Sequence, residues 1–508
     1  MYKMSNVINE QMPDQPRQNA GSKRQNAIPS IMNIKSLPVN QAQKVDTDVL
    51  EPLVFSQEFA RWELMPKGFL HPNTKISVGI KANPLVPRGF PLVNIGIHSL
   101  VRRAVLKTSA GRVICETEDW NVLQGGLSTF ISNSANKERE QYTTGRQMNY
   151  EVKYNPDSFH LADDYGLSNN NDYSTINSGT ANPPIGLSGP GLSVQEHLLT
   201  SNESTFQIAL HDLFPFLKAG NQLPLYMLPN ERIQIELFWE PNEKGNRMGQ
   251  NASGLVVNPA STAKLYADWE LVQTKCKLIA DYVFYDQETM DRYAAENSNM
   301  TFSYIDYRLS KQVLVGDATV NNVRNIGGQG RIVNKVLFAY EDPNYSEALE
   351  VQGMHHTLTS RYTARNMAPT AGGNARLPLT SNIFVNSEFV YPQSIKNNAR
   401  QFHNLKETGG MVPFVSRESY SGEGRGGITD QDFEMSDTSR NIGGEFFWQG
   451  FRLTGINSRV DSRGIDLHTS GEMNSLAAET HTGYVQRCWL EVVKYLTIKD
   501  GHLEVFFA

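Results

Sequence analysis

The chain has 508 residues, 39% hydrophobic and 20% charged, with a formal net charge of -6. A chain of that length buries ample core and, at roughly 100–200 residues per domain, predicts at least two globular units. The mild acidity excludes a dedicated duplex-DNA binder, which needs a basic field strong enough to displace counterions from phosphate.

Abundant Gly (39) and Pro (24) favour short strands with many turns over long solvated helices. No stretch approaches the roughly 18 apolar residues of a spanning helix, and the first thirty residues are polar and unlike a signal sequence. Cys115, Cys276 and Cys488 are far apart and odd in number, so they are expected to be reduced and partly buried in a chain kept in a reducing, aqueous compartment. The N-x-[ST] matches at Asn202, Asn251 and Asn299 then read as chance.

Residues 1–49 are rich in Asn and Gln and poor in large apolar side chains, which predicts a flexible N-terminal arm. It carries Arg17, Lys23, Arg24, Lys35 and Lys44 among its cations, which suit either a solvated tail or an arm that orders against neighbouring subunits or an interior surface. From Glu51 the chain becomes globular. Ile76, Val78 and Ile80 alternate with polar residues, and Val93, Ile95 and Ile97 predict a second strand. Arg112 to Cys115 predicts a third, and Trp120 to Ile131 a short amphipathic helix.

Residues 155–204, dense in Asn, Ser, Gly and Pro, form a long surface excursion. Strand patterning returns at Phe206, Ile208 and Leu210. It is clearest from Arg232, where Ile233, Ile235, Leu237 and Trp239 take one face and Arg232, Gln234, Glu236 and Phe238 the other. Lys264 to Asp286 supplies two more strands, and Asp286 caps a helix over Gln287 to Glu296.

Strand character restarts at Thr301, continues at Val313 to Val315 and Ile332 to Tyr340, and is punctuated by Gly327, Gly328 and Gly330. A helix is predicted over Gln393 to Glu407, ended by Gly409-Gly410, and Glu445 to Thr454 carries an aromatic strand. The last segment is a hairpin: Leu490, Val492, Leu496 and Ile498 on one face, a tight turn at Asp500-Gly501, then Leu503, Val505 and Phe507. The strands Cys276 to Asp286 and Cys488 to Asp500 each begin at a cysteine and stop at an aspartate, which suggests a tandem pair of one fold. The division is an arm at 1–49, a first unit at 50–290, a linker at 291–300 and a second unit at 301–508.

The segments LPLYMLPNERIQIELFWEP, LIADYVFYDQETMDRYA and YVQRCWLEVVKYLTIKDGHLEVFF resemble those of the double jelly-roll major capsid proteins, and the resemblance spans residues 50–508 in segment order. That family serves virophages, polinton-like viruses and large eukaryotic DNA viruses. The resemblance implies an all-β chain of two tandem eight-stranded jelly rolls with short linker and loop helices. It implies a structural, non-enzymatic subunit located in the virion capsid, forming homotrimers that act as pseudo-hexameric capsomers of an icosahedral shell. The implied partners are copies of itself, penton and minor capsid proteins, with no specific nucleic-acid recognition and no membrane span.

Catalytic, cofactor-binding and metal-ligating residues are all expected to be none. Gly186-Leu-Ser188-Gly189 is one residue short of a nucleophile elbow and lacks its strand-to-helix context. Gly422-Glu-Gly424-Arg-Gly426-Gly427 lacks the βαβ unit and the Lys-Ser/Thr of a phosphate loop. His355 and His356 point apart in a strand and have no partner at ligand spacing. Two other classes remain open: a carbohydrate-binding tandem β-sandwich with exposed aromatic platforms, and a β-sandwich glycoside hydrolase with two carboxyl groups in an open cleft.

Overall fold

The computed structural model describes residues 44–82, 96–131, 143–144, 152–155, 158–161, 203–218, 223–240, 269–313, 319–341, 380–395, 398–409, 448–453, 455–472 and 485–507. The first eight long strands are β1 (Lys44–Leu50), β2 (Phe59–Glu63), β3 (Lys75–Ala82), β4 (Val101–Thr108), β5 (Val113–Glu118), β6 (Glu203–Ala209), β7 (Ile233–Trp239) and β8 (Lys277–Phe284). They form two antiparallel sheets, β1-β8-β3-β6 and β2-β7-β4-β5, extended by two- and three-residue strands.

The next eight repeat the plan. They are β9 (Asn299–Val313), β10 (Thr319–Gly327), β11 (Val333–Glu341), β12 (Thr380–Val385), β13 (Glu388–Phe389), β14 (Trp448–Arg452), β15 (Ile465–Glu472) and β16 (Val485–Lys499), followed by β17 (His502–Phe507). Their sheets run β9-β16-β11-β14 and β10-β15-β12-β13. Numbered within each set of eight, both halves have the order 1-8-3-6 over 2-7-4-5. That is the connectivity of a jelly roll, in which each long crossing carries the chain between two facing sheets. The expected tandem pair of eight-stranded jelly rolls is the observed fold.

Local chemistry accounts for the elements. In β7, Ile233, Ile235, Leu237 and Trp239 are all buried, as the two-residue period requires. The helix α1 spans Trp120–Ile131, α2 Gln287–Glu296 and α3 Asn398–Gly409. Asp286 caps α2, its carboxylate accepting from the Thr289 amide at 2.9 Å and the Thr289 hydroxyl at 2.7 Å. The β16–β17 hairpin turns through Asp500 (φ 52°) and Gly501 (φ 76°), and β12–β13 turns through Asn386 (φ 51°) and Ser387 (φ 73°). Two consecutive left-handed residues match the right-handed twist of the strands they join.

Several expectations are corrected. The stretch assigned to the arm ends in a strand, since Lys44–Leu50 pairs along β8 from Lys44↔Phe284 to Leu50↔Leu278. Ile97 lies in a 3-10 turn, Gly96–Leu100, ahead of the unforeseen β4. The strand predicted to reach Leu210 stops at Ala209, where a one-turn helix begins. Helix α3 starts at Asn398 because Ile395 instead bonds Ser381 in both directions, at 3.1 and 2.9 Å. Strands β2, β10, β12 and β15 have no counterpart among the elements the sequence predicts. Glu236, on the face of β7 opposite Ile233, Ile235, Leu237 and Trp239, is buried too, paired with Lys107 at 2.7 Å.

Candidate functional site

The two rolls are joined through their longest strands. Strands β9 and β16 are 15 residues each and paired along their whole length, from Asn299↔Lys499 to Val313↔Val485. At about 3.3 Å per residue they run for roughly 50 Å, beyond the span of one sandwich. One end belongs to the second core with Trp489, Leu490 and Val492, where Trp489 stacks on Trp448 at 5.0 Å. The other end, carrying Met300, Phe302, Tyr304, Leu496 and Ile498, packs into the first core. Phe216 stacks on Phe302 and meets Tyr304 edge-on, each at 5.3 Å. This dual duty explains why β16 is buried on both faces, against the one-sided alternation expected of it.

Crossing the same line in the opposite direction, α1 of the first half places Val122 and Leu123 in the second core. Its N-terminus is held by Asp119, which adopts φ 46° and accepts from Arg487 Nε at 2.8 Å and Lys311 Nζ at 3.2 Å. Burial pushes the Asp119 carboxyl up, but the two cations outweigh it and leave it below its ordinary value.

A polar clamp covers the free edge of β5. The Tyr304 hydroxyl donates to the Ile114 carbonyl at 2.7 Å, Lys494 Nζ donates to the same oxygen at 3.3 Å, and the Glu116 amide donates to Asp306 Oδ1 at 3.4 Å. Asp306 and Lys494 are ion-paired with 1% and 4% exposure. Burial is the largest influence on Asp306 and raises its carboxyl pKa, with Lys494 opposing it. Nearby, Glu491 accepts from Tyr307, Lys335 and Asn334 at 2.8, 3.0 and 3.2 Å. The β17 hairpin is strapped to the first roll by Glu231, which accepts from the Leu503 amide at 3.2 Å, and by Arg112, which donates to the Leu503 carbonyl. Unpaired strand edges template association, so side chains that satisfy β5 turn one potential edge into an internal joint.

The edge of β1 is treated differently. Among the described residues it pairs with β8 alone, and its outer face exposes Val45 (53%) and Val49 (57%). Its other face carries Asp46 and Asp48, bridged by Lys67 Nζ at 3.2 and 2.8 Å. The hydrogen bond from Lys67 holds the half-buried Asp46 carboxyl below its ordinary value.

The weighed chemical sites fall as follows. Gly186 to Gly189, His355-His356, Gly422 to Gly427, Asn202 and Asn251 lie outside the described residues. Asn299 is exposed at the start of β9. All three cysteines are free, as expected, and buried more completely than expected, and burial raises the Cys276 thiol to about 11 and Cys488 to about 12, so neither is a reactive thiolate. Among the described residues no cluster of three His, Cys, Asp or Glu could hold a metal, and no helix is long and apolar enough to cross a membrane. The joint itself was invisible to sequence reasoning. Its only signal was the unusual length of the apolar run from Val485 to Lys499.

No family model matches the chain, and no curated protein does. Solved structures do. The cryo-EM structure of the Sputnik virophage aligns at TM-score 0.53 with 12% identity, covering 99% of this chain and 93% of that one. PBCV-1 VP54, fitted into a reconstruction of Sputnik, aligns at 0.50 with 12% identity over 92% of this chain and 97% of its own. A chain of the PBCV-1 virus capsid aligns at 0.50 with 11% identity and the same coverage. At such identities the likeness is one of fold, and it runs through both halves: the chain shares with these three structures a whole tandem jelly-roll architecture.

Proposed function

We propose that the chain is a major capsid protein, a non-enzymatic structural subunit of an icosahedral DNA virus shell. The observation that supports this best is the joint. Two jelly rolls of identical strand order are held as one piece by the shared strands β9 and β16 and by a buried clamp, while among the described residues the edge of β1 is left open. A stiff two-roll block with unspent edges suits a subunit that completes itself with copies of itself. The solved chains with this fold come from structures described as a virus capsid and a virophage, which points the same way.

In this reading three copies form a pseudo-hexameric capsomer, six rolls in a ring, and capsomers tile the shell with penton and minor capsid proteins. The subunit is assembled inside the host cell and resides in the virion capsid. The two units are divided near residues 290 and 301, with the first extended back to Lys44, and the preceding residues serve neighbouring subunits or the interior. The carbohydrate-binding alternative needs exposed Trp or Tyr platforms. Among residues with described side chains the exposed aromatics are Phe389, Phe506 and Phe507.

Light scattering on the purified chain tests the reading. A trimer near three times 57.0 kDa, with hexagonal particles or sheets in electron micrographs, is the expected outcome. A stable monomer at high concentration refutes it.

A further inference from the structure

Strand β1 reads Lys44-Val45-Asp46-Thr47-Asp48-Val49-Leu50, and its central five residues, Val-Asp-Thr-Asp-Val, are a palindrome about Thr47. We propose that β1 pairs antiparallel with the β1 of a second copy, about a two-fold axis at Thr47, fusing two β1-β8-β3-β6 sheets into one continuous sheet.

Three observations converge on that occupant. Among the described residues the edge is available, since β8 is the sole strand paired with β1 and Lys44–Leu50 makes no further backbone hydrogen bond. The palindrome is self-complementary in the one register a two-fold axis allows. It sets Val45 opposite Val49 of the second copy, Val49 opposite its Val45, and Thr47 opposite Thr47, all on the exposed face, and such β-branched and Thr–Thr cross-strand pairs stabilise a sheet.

Charge is the third. The same register sets Asp46 opposite Asp48 of the second copy on the other face, a row of like charges that opposes pairing. Lys67 lies 3.2 and 2.8 Å from Asp46 and Asp48, and Lys44 lies 3.7 Å from Asp46, so each copy brings two cations for its two carboxylates. The row is neutral before the copies meet.

Pairing seven residues buries less surface than a stable free-standing dimer needs, roughly 1,200–2,000 Å². The contact therefore forms where copies are already concentrated side by side, as effective concentration makes a weak contact count. A two-fold contact cannot close a three-membered ring. The inference thus rests on the shell reading for its setting and extends it: β1 joins subunits of different capsomers.

The test is disulfide trapping in the full chain. The three native cysteines are buried, so Thr47→Cys introduces one accessible thiol among the described residues. Paired about the axis, the two Thr47 Cα atoms lie about 4.5–5.5 Å apart, within disulfide reach. Under mild oxidation of assembled or concentrated protein, T47C gives a covalent dimer in most chains; when reduced it melts close to wild type, short of the one exposed hydrogen bond the Thr47 hydroxyl donates to Asp281 Oδ1 at 2.7 Å. V45C alone and V49C alone stay monomeric on non-reducing gels, because like positions then sit about 13 Å apart, whereas an equimolar mixture of the two cross-links. If T47C remains reduced, or if V45C couples to itself as readily, the two-fold register is wrong and another segment covers this edge. T47C left uncoupled in a chain that trimerises sinks the edge pairing and spares the shell reading. T47C coupled in a chain that otherwise stays monomeric does the reverse.

Discussion

Substituting Asp306 by Asn probes the joint with the least change of shape. The amide oxygen can still accept from the Glu116 amide, which lies 3.4 Å from the carboxylate, so the backbone contact survives. What is lost is the charge facing Lys494, an ammonium only 4% exposed that also donates to the Ile114 carbonyl at 3.3 Å. Removing one member of a buried ion pair costs about 3–5 kcal/mol, because the survivor stays buried and uncompensated. Replacing both members by neutral groups is often close to neutral. Asp306→Asn therefore destabilises by about 3–5 kcal/mol, and adding Lys494→Met restores all but about 1 kcal/mol of it. Urea unfolding followed by tryptophan fluorescence measures this, with hydrogen exchange at Ile114 to Glu116 reporting the joint directly. A single-mutant cost below about 1 kcal/mol, or two losses that simply add, refutes the clamp as a coupled unit.

Two further outcomes follow from the same joint. The lowered carboxyl of Asp119 contributes stability that is complete above its ordinary pKa of 3.8 and is lost as pH falls through its folded value. Asp119→Asn then costs about 3 kcal/mol at pH 7, and the gap from wild type narrows below about pH 4; a gap independent of pH counts against the assignment. A chain ending at residue 298 lacks Met300, Phe302, Tyr304, Leu496, Ile498 and Leu503, all 7% exposed or less and all part of the first core. At about 1.5–3 kcal/mol per large apolar side chain, the loss is on the order of 10 kcal/mol, comparable to the whole stability of a domain. That fragment melts without a cooperative transition in calorimetry, and a sharp transition would show that the first roll closes alone.

Legibility varied with how one-sided each element's surroundings are. Strand β7 and helix α2 were readable because one face meets core and the other does not, and because Asp286 is a good cap on its own terms. Strands β10, β12 and β15 were not. Strand β12 buries Asn382 among its apolar residues, its amide donating to the Tyr391 carbonyl at 2.8 Å, and β10 carries Asn321, Asn322 and Asn325, which pattern reading assigns to loops. Helix α3 was placed five residues too early, since the apolar spacing at Ile395 is equally consistent with the bridge to Ser381. The β1 edge was hidden inside a polar, Asn/Gln-rich stretch.

The amino-acid order alone determined that this protein is built of strands, that it holds two like units in series, and where the last hairpin turns, because period, turn residues and caps act over a few neighbours. Only the tertiary structure decided that the units are not separable. A strand's pattern reports that a face is covered and never by what, and here the far ends of β9 and β16 are covered by the other roll, through contacts such as Tyr304 with Ile114, 190 positions apart.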